Sequence, residues 1–434
     1  MKISLIFLTG VIVVGSGADG ATVAKELAQS GKEVTVLEAG AYPKMGTERR
    51  ALSFYTGGFW GPGEFSREGV EILRTEMVGG SSCVTIGNGV RALQKELSLH
   101  GLDLEEEFQE AEAELNIQPC PEENMGPRTR LLMKASEEVG CDMRPMPKFI
   151  YFKRCDGCGG CALGCVNGAK WTSRNYIGDA LRNGAKLETK HRVLEVLHKG
   201  GEVKGVKVQT PEGVKELESA LVVLAAGGVG TPVILQNSGL EAGSHLFADT
   251  FINTFGSVKG ASFEPELGMA SIVDEFHDSE GYILSPMMEG PLDLLTDRIP
   301  ISKKLAFMNT SKLIGLMAKT RDEPNGTVQS DGTIIKPVPP VDADKIEKGY
   351  QRSKVLLEAA GVDPKTIFRT HIRGAHPGGT AGIGRVINKE QETEVSRLFV
   401  SDCSAFPESP GKPPVLTIAA LSKHLAKRLA EEHL

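Results

Sequence analysis

Four cysteines within eleven residues are the densest set of metal-binding side chains in this sequence. Cys155, Cys158, Cys161 and Cys165 follow the spacing C-x2-C-x2-C-x3-C, and glycines fill most of the gaps. Cysteine thiolates hold iron–sulfur clusters in this spacing, and short glycine-rich gaps let the chain wrap a compact cluster. We therefore predict that these four residues bind an iron–sulfur cluster, 4Fe-4S or 3Fe-4S.

Other interpretations of this segment stay open. Ferredoxin runs with this spacing end in proline, whereas Val166 follows here. Their fourth cysteine serves a second cluster, so Cys165 is the ligand that the spacing supports least. Four thiolates would also suit structural zinc, although zinc usually takes two cysteine pairs that lie well apart. The third interpretation is a loop of free thiols.

A glycine-rich turn near the start of the chain predicts dinucleotide binding. Four apolar residues, Val11 to Val14, run directly into a G-x-G-x-x-G turn formed by Gly15, Gly17 and Gly20. The first glycine permits the tight turn, the second lets the backbone approach a pyrophosphate, and the third lets a helix pack closely on a strand. The phosphates would lie at the N-terminus of that helix, where unpaired N–H groups favour anions.

The following residues complete a β-α-β unit. An apolar-periodic segment ends at Gly31, and a second strand, Val34 to Leu37, leads into Glu38. An acid at this position accepts hydrogen bonds from ribose hydroxyls and argues against a 2′-phosphate on the ligand. Strand, helix, second strand and acid together make the motif far more specific than the glycines alone.

Composition and charge exclude several classes of protein. The chain has 434 residues, enough for two domains, and its net charge of −7 argues against nucleic acid as a main partner. No apolar run is long enough to span a bilayer. The start, Met1 to Leu8, resembles a short signal peptide but continues into the first strand without a cleavage site. Because clustered cysteines suit a reducing compartment, we expect a cytoplasmic protein.

The remaining pattern predicts an α/β fold with an added antiparallel sheet. A β-hairpin is expected from Leu187 to Val208 and a buried strand over Leu221 to Leu224. After about Gly243, alternating apolar segments indicate the antiparallel sheet, and residues 51–63 read as a loop. Helices are expected at Leu102 to Leu115, Arg128 to Val139, from Ser173, from Thr231, Lys345 to Ala360 and from Val415.

Five short motifs follow one another along nearly the whole chain. They are Leu37-Glu38-Ala39-Gly40 at the end of the first unit, Gly79-Gly80-Ser81-Ser82, Ala226 to Leu240, His376-Pro377-Gly378-Gly379-Thr380, and Val400 to Pro407 with Leu416 to Leu421. In this order they resemble the GMC (glucose–methanol–choline) oxidoreductases, FAD-dependent enzymes that oxidise alcohols and sugars. Each motif alone is modest, but the ordered set is specific.

The resemblance implies a domain plan. A Rossmann-like FAD-binding domain would be built from discontinuous segments, residues 1–245 and 371–434, with the cysteine-rich loop at 151–170. An antiparallel-sheet substrate domain would occupy residues 246–370. Since the chain is shorter than most family members, the resemblance also implies a trimmed substrate domain.

The resemblance also implies FAD contacts at ten positions. They are Gly15, Gly17 and Gly20 at the pyrophosphate, Glu38 at the adenosine ribose, Gly79, Gly80 and Ser81 along the flavin, Asn88 near the ring, Val193 at the adenine, and Asp402 near the ribityl–phosphate portion. For Asp402 a turn cap is the alternative. Some members attach the flavin through a histidine after Gly-Gly-Ser-Ser, but Cys83 follows Ser82 here, so we expect noncovalent FAD.

For catalysis the resemblance points to His376 as the base that takes the alcohol proton. A neutral imidazole suits this role because its unperturbed pKa lies near the working pH. His371 and Arg373 lie a few residues earlier and could line the same pocket, and each is expected to be structural or a weak substrate contact. The family usually carries a second histidine or an asparagine near the C-terminus, and Pro413 falls at that position. The usual partner of the histidine is therefore missing.

The expected function is an FAD-dependent dehydrogenase that oxidises a CH–OH group of a small alcohol-type substrate. Its electrons would pass through the cluster to a protein acceptor, such as a ferredoxin, rather than to oxygen. One alternative is a flavin-dependent reductase that receives electrons from ferredoxin and reduces a C=C or C=O group. The missing partner at Pro413 favours this alternative. The other is a non-catalytic flavoprotein that serves as an electron-transfer subunit.

Overall fold

The structure is a computed structural model that describes residues 5–7, 10–45, 64–289 and 310–433. Most of the apolar start, Met1 to Leu8, and the predicted loop at 51–63 lie outside these residues. The helices of the described residues are α1 Ala18–Gln29, α2 Gln94–Leu99, α3 Glu105–Glu114, α4 Pro127–Glu138, α5 Ser173–Arg182, α6 Gly227–Asn237, α7 His277–Glu280, α8 Pro340–Ala359 and α9 Val415–Glu432.

The strands of the described residues are short apart from one hairpin and two strands of the antiparallel sheet. They are β1 Leu5–Phe7, β2 Val11–Val14, β3 Val34–Glu38, β4 Glu71–Ile72, β5 Gln118–Pro119, β6 Arg144–Pro145, β7 Pro147–Lys148, β8 Lys186–Thr189, β9 Arg192–Lys199, β10 Glu202–Thr210, β11 Gly213–Glu218, β12 Leu221–Leu224, β13 Ser244–Leu246, β14 Thr250–Ser257, β15 Ser271–Ile272, β16 Tyr282–Pro286, β17 Leu313–Thr320, β18 Gly326–Val328, β19 Ile334–Ile335, β20 Phe368–Arg369, β21 Arg373–Gly374 and β22 Leu398–Val400.

A five-stranded parallel sheet forms the centre, in the order β22-β12-β2-β3-β8. Strands β2, β3 and β12 are buried along their whole length, as expected for a sheet that is covered on both faces. Helices α1 and α9 pack together and share the main hydrophobic core with this sheet. In such a sheet, ligands bind beyond the carboxyl ends of the strands.

The other sheets of the described residues are antiparallel or mostly antiparallel, which confirms the predicted α/β class with an added antiparallel part. The predicted hairpin is formed by β9 and β10 and begins at Arg192, because Leu187 lies in β8 of the parallel sheet. In the sheet of the hairpin, β11 pairs with β10 and β1 pairs with β11. The larger sheet has the order β16-β17-β14-β21-β4, with β20 beside β14. Its long strands fall inside the predicted 246–370 segment, whereas β4 and β21 fall outside it. The predicted domain boundaries stay predictions.

Helix α6 begins at Gly227, before the predicted start at Thr231, and therefore contains Pro232. Proline has no N–H, so the Gly228 carbonyl four residues earlier receives no helical hydrogen bond from it. The Thr380 hydroxyl donates to that carbonyl instead, at 2.8 Å. This bond fastens the segment after His376 onto α6.

Helix α6 and the segment after His376 approach each other most closely at Gly228. An added Cβ at Gly228 would lie 2.0 Å from the carbonyl oxygen of Pro377. We expect Gly228→Ala to lower the free energy of unfolding by roughly 1–3 kcal/mol, as overpacking does, and to displace the His376 segment. Thermal unfolding followed by circular dichroism measures the change.

Gly178→Ala in the interior of α5 is the matched control. An added Cβ there meets only the end of Arg182, at 3.5 Å, and alanine has the higher helix propensity. This variant should be as stable as the wild type or more so. If both glycine variants unfold at the wild-type temperature, the tight contact at Gly228 does not limit stability.

Candidate functional site

A cavity of about 720 Å³ opens beyond the carboxyl ends of the parallel strands. The end of β2 at Val14, the end of β3 at Glu38 and the turn after β12 at Ala225 line one side of it. Phe251 of β14 and Met317 of β17 line the other side. The cavity therefore lies between the parallel sheet and the larger antiparallel sheet.

The glycine turn forms the first wall of this cavity. Gly15 has a φ of +109°, and a Cβ there would lie 2.1 Å from the carbonyl oxygen of Ala225. Gly15 and Gly17 line the cavity. Gly20 is not among the lining residues, and a Cβ there would lie 2.2 Å from the Gly15 carbonyl oxygen. Its role is the close packing of α1, as the motif predicts for the third glycine.

Glu38 lines the cavity at the end of β3 and is buried. Its carboxylate accepts hydrogen bonds from the Ser16 hydroxyl at 2.6 Å and from the Gly40 backbone N–H at 2.8 Å. These bonds hold the acid against the glycine turn, with the cavity beside it. The predicted contact with the adenosine ribose is compatible with this position and stays a prediction.

The second glycine motif is tied to the first. The Gly79 N–H donates to the Ser16 hydroxyl at 3.1 Å, and the Ser173 hydroxyl donates to the Gly79 carbonyl at 2.8 Å. Gly80 and Ser81 line the cavity, whereas Gly79 is not among the lining residues. Gly79 holds the turn with a φ of +95° and presents the next two residues.

Three more residues predicted from the resemblance are widely separated in sequence, and two of them meet at the cavity. Asn88 and Val193 line it, and the Lys148 ammonium donates to the Asn88 side-chain oxygen at 2.7 Å. Asp402 is buried and is not among the lining residues. Its carboxylate accepts from the Ser404 and Gly227 N–H groups at 2.7 and 2.9 Å. Asp402 thus caps a turn and joins it to α6, as in the alternative interpretation.

The residues present fit FAD. Backbone lies so close around the glycine turn that a pyrophosphate would meet N–H groups and the start of α1 rather than side chains. Asp19 lines the cavity at that helix start, and burial, with the nearby Asp402 carboxylate, raises its pKa well above the ordinary value. The raised pKa lessens the repulsion between this carboxyl group and a phosphate.

At the opposite wall, His376 and Lys319 face the cavity side by side. The His376 Nδ1 atom lies 2.9 Å from Asp249 Oδ2 and 3.0 Å from Lys319 Nζ. Burial first, and then the Lys319 charge, lower the pKa of His376 to about 4, although Asp249 opposes the shift. The imidazole is therefore neutral at pH 7.

The sequence reasoning missed both Asp249 and Lys319. Asp249 is fully buried and accepts from the Ser409 hydroxyl at 2.6 Å and the Gly411 N–H at 3.0 Å. Lys319 lies in β17, which is buried throughout, and it pairs with Phe251 of β14. The available signal was a lysine directly after the apolar run Leu313 to Ala318, because an unpaired buried lysine is rare.

His371 and Arg373 are held by a shared carboxylate. Neither is among the lining residues, and both contact Glu71, at 2.8 Å from His371 Nε2 and 3.1 Å from Arg373 Nε. Pro413 lines the cavity, at the position where the family resemblance expects a polar residue. Its ring offers no hydrogen bond there.

The cysteine segment borders the same cavity through Ala162. Cys161 is buried in one apolar cluster with Cys120, and Cys155 and Cys165 pack against it. Cys158 is exposed. Within the ranges that the structure describes, no set of three or more His, Cys, Asp or Glu side chains is placed to hold a metal ion. The predicted ligand cage is therefore not formed in this conformation.

The fold and the cavity define a flavoprotein with a Rossmann-like FAD domain. Models of the GMC oxidoreductase family match residues 11–268 and 333–422. The chain belongs to the GMC oxidoreductase family, whose members are FAD-dependent oxidoreductases. The described residues include no helix long and apolar enough to cross a membrane.

Similar proteins come from distant organisms. An uncharacterised protein of Methanocaldococcus jannaschii is 27% identical, over 96% of this chain and 98% of its own. A long-chain-alcohol oxidase of Arabidopsis thaliana is 25% identical, over 95% of this chain and 67% of its own. Among solved structures, pyridoxine 4-oxidase from Mesorbium loti has a TM-score of 0.75 at 16% identity and covers 98% of this chain and 100% of its own.

We expect the purified protein to carry noncovalent FAD. The buried Cys83 that follows Ser82 donates to the Val78 carbonyl and is not among the lining residues, so no histidine or thiol of that turn reaches the cavity. Acid precipitation should release the flavin into the supernatant. Yellow colour on the washed pellet would contradict this expectation.

Proposed function

We propose that the protein oxidises an alcohol to a carbonyl compound, with His376 as the base. The observation that carries the proposal is the neutral His376 imidazole at the cavity wall, largely buried with 17% of its side chain exposed and held by Asp249. Two arguments support it: an aspartate orients a catalytic imidazole by accepting from one ring nitrogen, and a neutral imidazole can accept a proton.

The chain's residues divide the work as follows. FAD, when bound, supplies the acceptor for the hydride that leaves the alcohol carbon. Asp249 Oδ2 accepts the Nδ1–H of His376, which leaves the Nε2 lone pair for the hydroxyl proton of the substrate. The buried Asp249 carboxylate then stabilises the imidazolium that forms, and the apolar wall excludes water. His376 thus takes the hydroxyl proton, and the hydride carries the electron pair to the flavin.

The wall of the cavity favours an apolar substrate. Methionines 269, 287 and 317 line it together with Phe251 and Leu73. Methionine side chains are flexible and adapt to chains of different shape. The similarity to plant long-chain-alcohol oxidases is consistent with this wall. We therefore propose straight-chain or other apolar alcohols as the substrate class.

The test is His376→Gln in the FAD-loaded protein, assayed with primary alcohols from ethanol to dodecanol and an artificial electron-accepting dye. Turnover should fall roughly 10²- to 10⁴-fold, the usual contribution of a general base, while the flavin content stays that of the wild type. His371→Gln is the matched control because His371 is not among the lining residues, and it should keep turnover. Wild-type turnover in His376→Gln would remove the histidine from the mechanism.

The same assay separates the alternatives. A reductase would show no flavin bleaching by alcohols but would reoxidise in the presence of an enone. An electron-transfer subunit would respond to neither substrate. Either outcome would replace the proposed alcohol oxidation.

We propose separately that Cys155, Cys158, Cys161 and Cys165 bind an iron–sulfur cluster. The spacing supports it, and so does the placement of the segment beside the cavity through Ala162. Binding would require the loop to close around the metal. Positive φ angles at glycines 157, 159 and 164 leave it the freedom to do so, and metal sites commonly form only on binding. A protein acceptor such as a ferredoxin is part of this proposal.

Two buried lysines are the specific observation that favours an anionic group here. Lys148 donates to two backbone carbonyls and the Asn88 amide oxygen, and Lys170 donates to the carbonyls of Cys83, Thr85 and Cys161. Among the described residues neither forms an ion pair with a carboxylate. Their electrostatic neighbours are cysteine thiols and, for Lys148, also the ammonium of Lys170. A cluster ligated by thiolates would supply the missing negative charge.

Anaerobic purification with iron, sulfide and zinc analysis tests the cluster. We expect roughly three to four irons per chain, set by the known cluster types, and an electron paramagnetic resonance signal. Cys158→Ser should lose the signal and keep FAD, whereas Cys141→Ser, a buried cysteine of another apolar cluster, should keep both. Stoichiometric zinc without iron, or neither metal, would overturn the proposal.

A further inference from the structure

Lys319 is an ammonium group in an unusual position. Lys319 is only 3% exposed, and its side chain ends at the wall of the cavity beside His376. Within the part of the chain that the structure describes, its single hydrogen-bond partner is His376 Nδ1, and it forms no ion pair with a carboxylate. A lysine has three N–H donors, so two are unused by these neighbours.

The tautomer of the neutral His376 ring leaves the third N–H donor of Lys319 free as well. Nδ1 carries either a proton or a lone pair, so it cannot donate to Asp249 and accept from Lys319 at once. As a base, the imidazole needs the lone pair on Nε2, which places the proton on Nδ1, facing Asp249. All three N–H groups of Lys319 are then available to a group inside the cavity.

Lys319 is mainly charged near neutral pH. Burial lowers its pKa to about 8, although the carboxylates of Asp249, beside β14, and Asp322, just after β17, oppose the shift. His376 faces it as a neutral ring. Lys319 is therefore an ammonium over most of the range in which His376 is an unprotonated base.

We propose that the Lys319 ammonium binds the substrate oxygen beside His376 and takes the place of the polar partner that is missing at Pro413. This inference rests on the proposed alcohol oxidation and names a further catalytic residue for it. As the hydroxyl proton moves to His376 Nε2, negative charge grows on the substrate oxygen. A preorganised donor in a buried site stabilises that charge, as an oxyanion hole does.

The position of Lys319 supports this role. It is fixed by strand β17 rather than by a loop, since β17 pairs with β14 on one side and β16 on the other. Asp249 directly precedes β14, and the His376 N–H donates to the Ala248 carbonyl at 3.0 Å. Two neighbouring interior strands of one sheet, β14 and β17, thus position the base, its orienting carboxylate and the proposed donor.

The test compares Lys319→Met, Lys319→Arg and the wild type as FAD-loaded proteins. Methionine has a similar shape without the charge, and removing a buried charge without a carboxylate partner should leave the fold stable. The first readout needs no turnover: binding of hexanoate, followed by the change in flavin absorbance. Its carboxylate probes the donor and its chain probes the apolar wall.

We expect hexanoate binding to weaken roughly ten- to one-hundred-fold in Lys319→Met, the range for hydrogen bonds to charged groups, and to be largely kept in Lys319→Arg. Lys423→Met is the matched control. Lys423 is a buried lysine that pairs with Glu26 and Glu114 and is not among the lining residues. Its loss should leave hexanoate binding unchanged.

The pH dependence of kcat/KM is the second readout. The wild-type profile should be a bell with limbs near pH 4, where His376 gains a proton, and near pH 8, where Lys319 loses one. In Lys319→Met the alkaline limb should disappear. The acid limb should move to higher pH, because the neighbouring positive charge no longer disfavours the imidazolium.

The outcomes are distinct. Wild-type hexanoate affinity and an unchanged pH profile in Lys319→Met would overturn the role of Lys319. If no alcohol is oxidised by the wild type but Lys319→Met loses hexanoate binding, the proposed alcohol oxidation fails while the oxygen-binding site stands. Loss of turnover in Lys319→Met with unchanged hexanoate binding would also count against a direct contact with the substrate oxygen.

Discussion

The constraint on which this structure depends is the approach of backbone to backbone at three glycines. At Gly15, Gly20 and Gly228 a single added carbon would lie 2.0 to 2.2 Å from a carbonyl oxygen. No rotamer change relieves such a contact, because backbone atoms cannot turn away as a side chain can. The turn after β2, the start of α1, the turn after β12 and the His376 segment are therefore fixed relative to one another.

Buried lysines are the charged groups that stand out within this frame. Three lysines, Lys148, Lys170 and Lys319, are buried without a carboxylate partner among the described residues, and each lies in or beside the cavity wall. Desolvating an ammonium is expensive, so a protein keeps such groups where they meet a ligand or a reacting atom. The apolar clusters around them make that cost larger and their interaction with an anion stronger.

The glycine turn, Glu38 and the parallel strands could be predicted because each rests on a local rule, whereas His376 was pointed out by the family resemblance alone. Backbone turns demand glycine, buried parallel strands read as continuous apolar runs, and motifs keep their spacing. Lys319 and Asp249 could not be predicted as neighbours of His376, because their meeting depends on the pairing of β14 with β17. The resemblance led to Pro413 and the missing partner, but only the sheet register brings Lys319 beside His376. For the cysteines, spacing predicts ligands but does not determine where the loop rests without metal.

The bond from Thr380 to the Gly228 carbonyl also bears on how the fold tolerates change. It joins two segments that are 152 residues apart in sequence, and it uses an acceptor that Pro232 leaves vacant. The polypeptide between them begins and ends at this fastened junction. Insertions and deletions in that intervening stretch would leave the junction intact, so its length and chemistry are free to diversify during evolution.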